Sequence, residues 1–321
     1  MDQSLGSRPG VLLRPMTIAD LLDGAFRLLR SNARVIITAS AIFIVPAQLV
    51  SLLVMVSTGL FSANDAILST TDEVGDEFSQ GTTLQTDSSF PFDALAIAGM
   101  GFAGLVGILS VIFVGAIACQ VAIDAYAGKE STTGSVLGQV RKKIWPLMGS
   151  WILVHLLEAS GFLIAFIFIL AATANSGAFF FVIISFILAV PISFVVMTLS
   201  TLVTPCLMGE DLGAITSIKR SWRLARRRFW PIVWVAFLAG LITSLVGNVL
   251  GLPGTIGSFV GGTVGGVIFV VTTMLVLFIT QPFTALVATL QYLNCRIRNE
   301  GLDLEIVADR LIAEHSVAVN G

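Results

Sequence analysis

Six long apolar stretches limit what this 321-residue chain can fold into. A bilayer core about 30 Å thick is spanned by roughly 20 residues of α-helix, and each stretch reaches that length. Strands with open edges would leave backbone polar groups unpaired in lipid, so we expect helices. Only 12% of the residues are charged, about half the proportion in soluble domains. The sequence predicts an all-α polytopic membrane protein with six transmembrane helices, at residues 35–60, 94–119 with an extension to 127, 147–172, 178–207, 231–252 and 265–293.

The positive charges are completely segregated along the chain. All 18 Lys and Arg residues lie before the first apolar stretch, between the second and third, between the fourth and fifth, or after the sixth. The other three connections contain none, and one of them, residues 62–93, holds seven Asp and Glu residues. Because Lys and Arg mark the cytoplasmic side, we expect both termini in the cytoplasm. Five arginines precede the first stretch, so no cleaved signal peptide is expected.

A short motif occurs twice, before the third and the fifth stretches. Residues 142–146 read Lys-Lys-Ile-Trp-Pro, and residues 227–231, an offset of 85, read Arg-Arg-Phe-Trp-Pro. Apolar residues at helical spacing precede both motifs and also the first stretch, which is typical of amphipathic helices. We therefore predict three units, each a cytoplasmic interfacial helix followed by a membrane hairpin. The single membrane domain 1–321 then divides into 1–61 (helix and first span), 62–93 (acidic extracytoplasmic loop), 94–127 (second span), 128–207, 208–293, and the cytoplasmic tail 294–321.

The basic approaches to the spans are candidate sites for anionic lipid headgroups. Each Lys or Arg near an anionic membrane surface contributes about 1 kcal/mol, and Trp is favoured at the headgroup level. The alternative is that these charges only fix the topology, and both roles can coexist. Nucleic-acid binding is not expected, because the basic faces are committed to the membrane surface. The predicted interfacial residues are Arg27, Arg30, Arg34, Arg141, Lys142, Lys143, Trp145, Lys219, Arg220, Arg223, Arg226, Arg227, Arg228 and Trp230.

His155 and Glu158 are ionisable residues inside the third apolar stretch. Their spacing of three places both side chains on one face of a helix. Counted from Leu147, Glu158 lies roughly 16 Å into the membrane, where ionisable groups are costly and mark candidate functional sites. Three interpretations stay open: a proton or substrate site, a hydrogen-bonding pair between helices that faces the bundle interior, or a metal site completed by Asp124 or Cys119. We expect no resident metal or cofactor.

Glycine residues suggest close helix packing in two places. Gly257, Gly261 and Gly265 recur every four residues, as do Gly99, Ala103 and Gly107, and such stripes allow helices to approach closely. Residues 251–266 are rich in glycine beside a proline, so a broken or re-entrant segment is an alternative there.

Several segments together resemble a known bacterial family. They are LRPMTIADLLDGAFR at 13–27, SWRL at 221–224, RFW at 228–230, PF at 282–283, YL at 292–293 and RIRNEGLDL at 296–304. The chain resembles the glycerophosphoryl diester phosphodiesterase membrane-domain proteins, although members often have an Asp near Asn294 or Cys295 and this chain does not. The resemblance implies a six-helix module of the actinobacterial type in the bacterial cytoplasmic membrane, without the catalytic domain and accessory to a partner.

These observations favour a non-enzymatic function. Two histidines and no phosphate-binding loop leave no motif for phosphodiester hydrolysis or for ATP use. We expect a module that binds anionic lipid at its cytoplasmic face and docks another membrane protein or a second copy of itself. The alternative is a small transporter or lipid-handling protein with a midplane site at His155 and Glu158, and an intramembrane enzyme is a third interpretation.

Overall fold

The computed structural model describes residues 16–57, 94–174 and 179–301, and these form ten helices and no strand. Six helices are long and apolar enough to cross a membrane, so the predicted all-α polytopic fold is confirmed. The acidic segment 62–93 and the chain after residue 301 lie outside the described residues. The helices are α1 (Ile18–Ser31), α2 (Ala33–Ser57), α3 (Ala94–Tyr126), α4 (Thr133–Lys142), α5 (Ile144–Ala174), α6 (Phe179–Ser200), α7 (Val203–Glu210), α8 (Ala214–Arg226), α9 (Phe229–Val260) and α10 (Gly262–Glu300).

Helices α1, α4 and α8 are short. One or two residues separate each of them from the long helix that follows, α2, α5 or α9. Two of them begin with a capping box, in which the N-cap side chain and the third helical residue satisfy each other's backbone amides. Thr17 and Asp20 form this box in α1, and Thr132 and Ser135 form it in α4. One face of each short helix is buried. The predicted arrangement of a short helix before each membrane hairpin is therefore present.

The fourth predicted span, 178–207, is interrupted in the structure. Helix α6 ends at Ser200, and α7 begins at Val203 after a two-residue turn. Pro205 explains the break, because in a continuous helix its ring would clash with the carbonyl of Thr201, four residues earlier. The short helix α7 then continues to Glu210, three residues beyond the predicted end.

A re-entrant segment at 251–266 is not what the structure shows. Helix α9 continues through Pro253 to Val260, and α10 begins at Gly262. The chain reverses at Gly261 and Gly262, whose φ angles of 69° and 58° favour glycine. Helix α10 then runs to Glu300, so the predicted tail from 294 begins inside a helix.

The chain divides into two compact units. The first comprises residues 1–36, 115–241 and 283–321, of which 16–36, 115–174, 179–241 and 283–301 are described. Its buried side chains include Ile117, Leu207, Ile232 and Leu290. Helices α5 and α6 pack against each other here, and the Cα and Cβ atoms of Ala189 would lie 3.1 and 3.3 Å from a β-carbon on Gly161.

The second unit comprises residues 37–114 and 242–282, of which 37–57, 94–114 and 242–282 are described. The rings of Phe43 and Phe113 stack at 4.8 Å between centroids. A cavity of about 160 Å³ in this unit is lined by α2, α3 and α10, with Gln48, Ser110 and Gln281 as its polar side chains.

Candidate functional site

Helix α8 presents a basic face whose direction is fixed by the opposite, buried face. Ser221 is buried and its hydroxyl donates a hydrogen bond of 2.5 Å to the carbonyl of Leu199 at the end of α6. The indole N–H of Trp222 donates to the Ser200 hydroxyl at 3.3 Å. These bonds attach α8 to α6. The exposed side chains here are those of Lys219, Arg223, Arg226 and Arg227. None of these side chains has an ion pair or hydrogen bond within the described residues.

Exposed tryptophans accompany the basic segments. Trp145 at the start of α5 is 81% exposed, and Trp230 at the start of α9 is 66% exposed. Neighbouring cations at the end of α4, Arg141 and Lys142, are exposed too. An indole beside cations suits the boundary between headgroups and acyl chains.

Helix α1 carries a weaker version of the same surface. Leu21, Ala25 and Leu28 are buried, whereas the side chain of Phe26 is exposed. Arg30 and Arg34 are also exposed. Arg27 forms an exposed ion pair of 3.0 Å with Asp23, one turn earlier. Such a surface pair contributes little to stability, so the Arg27 guanidinium can still reach a headgroup.

Lys143, one of the predicted headgroup residues, has partners inside the protein. Its ammonium donates to the carbonyls of Leu207 and Met208, each at 2.9 Å, and pairs with the Asp211 carboxylate. A lysine at this place satisfies the free carbonyls that end α7. The hydrogen bond from Lys143 lowers the pKa of Asp211. Asp211 itself has a left-handed φ of 51°, which ends the helix.

Arg220 is likewise engaged inside the protein. Its guanidinium lies between Glu210 of α7, at 2.8 Å, and Glu300 of α10, at 2.5 Å. Arg296 lies 3.7 Å from Glu210 and 3.2 Å from Glu300, so the four charges form a closed network. The hydrogen bond to Glu300 is the main cause that raises the pKa of Arg220. The buried hydroxyl of Tyr292 donates to Glu210 at 2.8 Å.

Sequence reasoning missed this network. Its partners are separated by 10 and by 80 residues, and no helical spacing connects them. Alternation of charge along α10, where Arg296 and Glu300 are four apart, was the one local signal.

A cavity of about 490 Å³ lies between the first turn of α1, the start of α9 and the last turns of α10. Asn294 of α10 binds the backbone of Met16, just before α1. The Asn294 amide oxygen accepts from the Met16 N–H at 3.0 Å, and its amide nitrogen donates to the Met16 carbonyl at 3.3 Å. Arg298 donates to the same Met16 carbonyl and to Asn294, both at 3.1 Å. The cavity is also lined by Arg228, Trp230 and Trp234. Its lining therefore combines cationic side chains with apolar rings.

The residues predicted inside the membrane contact each other along α5. His155 Nε2 lies 3.9 Å from a Glu158 carboxylate oxygen, and the His155 ring stacks on Trp151 at 4.0 Å between centroids. The His155 side chain is 50% exposed. The link from Glu158 to α6 is made by its backbone carbonyl, which accepts from Ser193 at 2.9 Å. Neither side chain lines either of the two cavities described above.

Asp124 lies in the last turn of α3. Its carboxylate accepts from Gln120 at 2.8 Å and from Ser131 at 3.4 Å. The predicted metal alternative needs a third ligand beside His155 and Glu158. Across residues 16–57, 94–174 and 179–301, no group of three or more His, Cys, Asp and Glu side chains could hold a metal ion. Cys119 is buried and accepts from Thr289 at 3.0 Å.

The fold defines the class of protein: an all-α, multi-pass membrane protein with basic, Trp-containing helix ends. The chain belongs to the family described as "Domain of unknown function (DUF8558)", whose family model matches residues 11–317. A search of curated proteins and a search of solved structures each gave no match. The resemblance to phosphodiesterase membrane-domain proteins stays a prediction.

Proposed function

We propose that this protein is a non-enzymatic membrane module that binds anionic phospholipid at its basic helix ends and docks another membrane protein. One observation carries the proposal: α8 buries one face and presents four exposed cations with no partner in the described residues, namely Lys219, Arg223, Arg226 and Arg227. Keeping four like charges on one short surface is unfavourable unless a negative surface lies opposite. Anionic headgroups provide that surface, at about 1 kcal/mol per cation.

The side of the membrane follows from the same charges. We place the basic helix ends in the cytoplasm of a bacterial cell, in line with the segregation of Lys and Arg. Cysteine labelling in intact cells tests this placement, because the cysteines in the described residues are buried. With a membrane-impermeant maleimide, Ser79→Cys should react and Gln139→Cys, on the exposed face of α4, should react only after lysis. Labelling of Gln139→Cys in intact cells would contradict the placement.

Lipid selectivity is tested by native mass spectrometry of the protein in mild detergent. Purified protein incubated with equal amounts of phosphatidylglycerol and phosphatidylcholine should retain mainly phosphatidylglycerol. Arg223→Gln should lower that preference about fivefold, the equivalent of one cation near the surface. Lys129→Gln is the matched control, because Lys129 is an exposed cation in the turn after α3 and is not part of α8. Equal retention of both lipids by the unaltered protein would contradict the proposal.

Docking is supported by the hairpin of α5 and α6. Only 6% of the apolar window of α5 is buried, against 44% for α3. Lipid can cover such a face, so the two occupants must be separated by experiment. A photo-crosslinking amino acid at Ile167, exposed on α5, should give a discrete protein adduct in the native membrane. The same group at Phe259, exposed on α9, is the control. Lipid adducts alone at both positions would contradict docking, and an adduct of twice the chain mass would identify a second copy as the partner.

A further inference from the structure

Lys143 and Arg228 occupy the same position of the repeated unit. Both directly precede a long helix, because α5 begins at Ile144 and α9 at Phe229, and the offset of 85 that relates the two motifs relates these residues as well. Each follows a short amphipathic helix, α4 or α8. The two copies therefore place a cation at the same point relative to their hairpins.

Only one of these two cations has a partner in the described residues. The ammonium of Lys143 is satisfied by the carbonyls of Leu207 and Met208 and by Asp211. Those carbonyls are free because α7 ends at Glu210. Arg228 has no ion pair and no side-chain hydrogen bond within residues 16–57, 94–174 and 179–301.

The reason lies in the length of the opposing helix. The position equivalent to the end of α7 falls at Cys295, but α10 continues to Glu300. Its carbonyls near Tyr292 accept helical hydrogen bonds, so they are not the free carbonyls of a helix end. In the second unit, the cation Lys143 therefore has a complete set of acceptors. In the third unit, the equivalent cation Arg228 lines a cavity of about 490 Å³ instead.

The cavity offers further polar groups beside this cation. Arg298 uses two nitrogens on Asn294 and Met16, and its remaining terminal nitrogen has no hydrogen bond within the described part of the chain. Arg228 and Arg298 both act electrostatically on the Cys295 thiol, which lines the same cavity. The rest of the lining is largely apolar and includes Ile18, Trp230 and Trp234. A planar guanidinium suits the oxygens of a phosphate, with which it forms two parallel hydrogen bonds.

We propose that this cavity binds one phospholipid, with its phosphate on Arg228 and Arg298 and its glycerol and upper acyl chains against the tryptophans. The inference rests on the proposed function, since it names one defined site within the anionic-lipid surface. The missing acceptor explains why the ligand is an anion. The apolar wall explains why it carries a tail, which a free phosphate ion lacks.

Native mass spectrometry with dioleoyl phosphatidylglycerol tests the site. As the lipid concentration is lowered, the unaltered protein should keep one bound lipid molecule after its other bound lipid molecules have dissociated. Arg228→Gln should weaken that binding about tenfold or more, since charge-assisted hydrogen bonds to the phosphate are lost, and Arg228→Lys should restore part of it. Lys129→Gln is the matched control, because Lys129 is an exposed cation that does not line the cavity. Ile18→Trp, which places a larger side chain in the cavity lining and keeps both arginines, should also release the lipid.

The outcomes separate the inference from the function. Equal loss in Arg228→Gln and Lys129→Gln, with a preference for phosphatidylglycerol over phosphatidylcholine retained, overturns the cavity and leaves the proposed function standing. No preference for phosphatidylglycerol in any variant overturns both. Displacement of the retained lipid by millimolar inorganic phosphate at an affinity equal to that of the lipid overturns the assignment of a tailed ligand.

Discussion

Glu210 and Arg220 form a two-point ion pair that joins α7 to α8. The Nε atom of Arg220 donates to both carboxylate oxygens of Glu210, at 2.8 and 3.1 Å, and a terminal nitrogen donates to one of them at 3.1 Å. The pair is mostly shielded from solvent. It fixes α8 against the end of α7 and so determines which way the basic face of α8 points.

Replacing Arg220 by Gln should destabilise the protein. Glu210 and Glu300 would then share a partly buried space with Arg296 as their only remaining cation in the network. We expect a loss of about 2 kcal/mol, within the range for a lost hydrogen bond to a charged group. Thermal unfolding in detergent measures it. Arg223→Gln removes the same charge from the exposed face of α8 and should change stability by less than about 0.5 kcal/mol. Equal effects of the two would contradict a structural role for Arg220.

The contact between Lys143 and Asp211 predicts a pH dependence. The pKa of Asp211 is lowered below its ordinary value of 3.8 by the hydrogen bond from Lys143. A lowered carboxylate pKa stabilises the fold above the ordinary value, and this contribution is lost as the pH falls through the folded value. Asp211→Asn, which tolerates the left-handed φ, should therefore be less stable than the unaltered protein at pH 7, and the difference should shrink below pH 3.8.

Lys143→Met separates this effect from the helix cap. The bonds from Lys143 to the carbonyls of Leu207 and Met208 do not depend on Asp211. The variant should thus be less stable than the unaltered protein at both ends of a titration from pH 7 to the acid range. A stability difference for Asp211→Asn that is constant over the whole range would contradict the ion pair.

The turn between α9 and α10 requires small residues at two facing positions. A β-carbon on Gly265 would collide with the backbone carbonyl of Gly257, and one on Gly257 would lie 2.8 Å from Ile268. Gly265→Ala should lower stability by about 1–3 kcal/mol, the range for overpacking. Gly251→Ala on α9 is the control, since nothing lies within 4 Å of its β-position, and it should leave the unfolding temperature unchanged or raise it. Equal unfolding temperatures for the two variants would contradict this packing.

The helices of this protein were predictable from sequence because their causes are local. Span length, the segregation of Lys and Arg and the Trp-Pro motif each act within one segment. The glycine repeat was only partly interpreted correctly. Gly257 and Gly265 do pack closely, but across a hairpin whose turn is Gly261. A spacing of four residues describes one continuous helix equally well, so sequence alone could not distinguish them.

The engagement of single cations was not predictable. Lys143, Arg220 and Arg228 look alike in the sequence as members of basic clusters. The structure gives Lys143 acceptors 64 and 65 residues away and Arg220 partners 10 and 80 residues away. Arg228 instead lines a cavity. Lys143 and Arg228 differ because α7 ends at Glu210, whereas α10 continues past the equivalent position to Glu300. That difference depends on where a later helix stops, to within a few residues.

The most direct measurement of the central claim is lipid selectivity in a bilayer. Brominated phosphatidylglycerol and phosphatidylcholine quench tryptophan on contact, and Trp145 and Trp230 are both exposed beside the basic helix ends. In mixed bilayers, phosphatidylglycerol should associate several-fold more strongly than phosphatidylcholine. The combined replacement of Lys219, Arg223, Arg226 and Arg227 by Gln should remove most of this difference. Equal quenching by the two lipids in the unaltered protein would contradict the account.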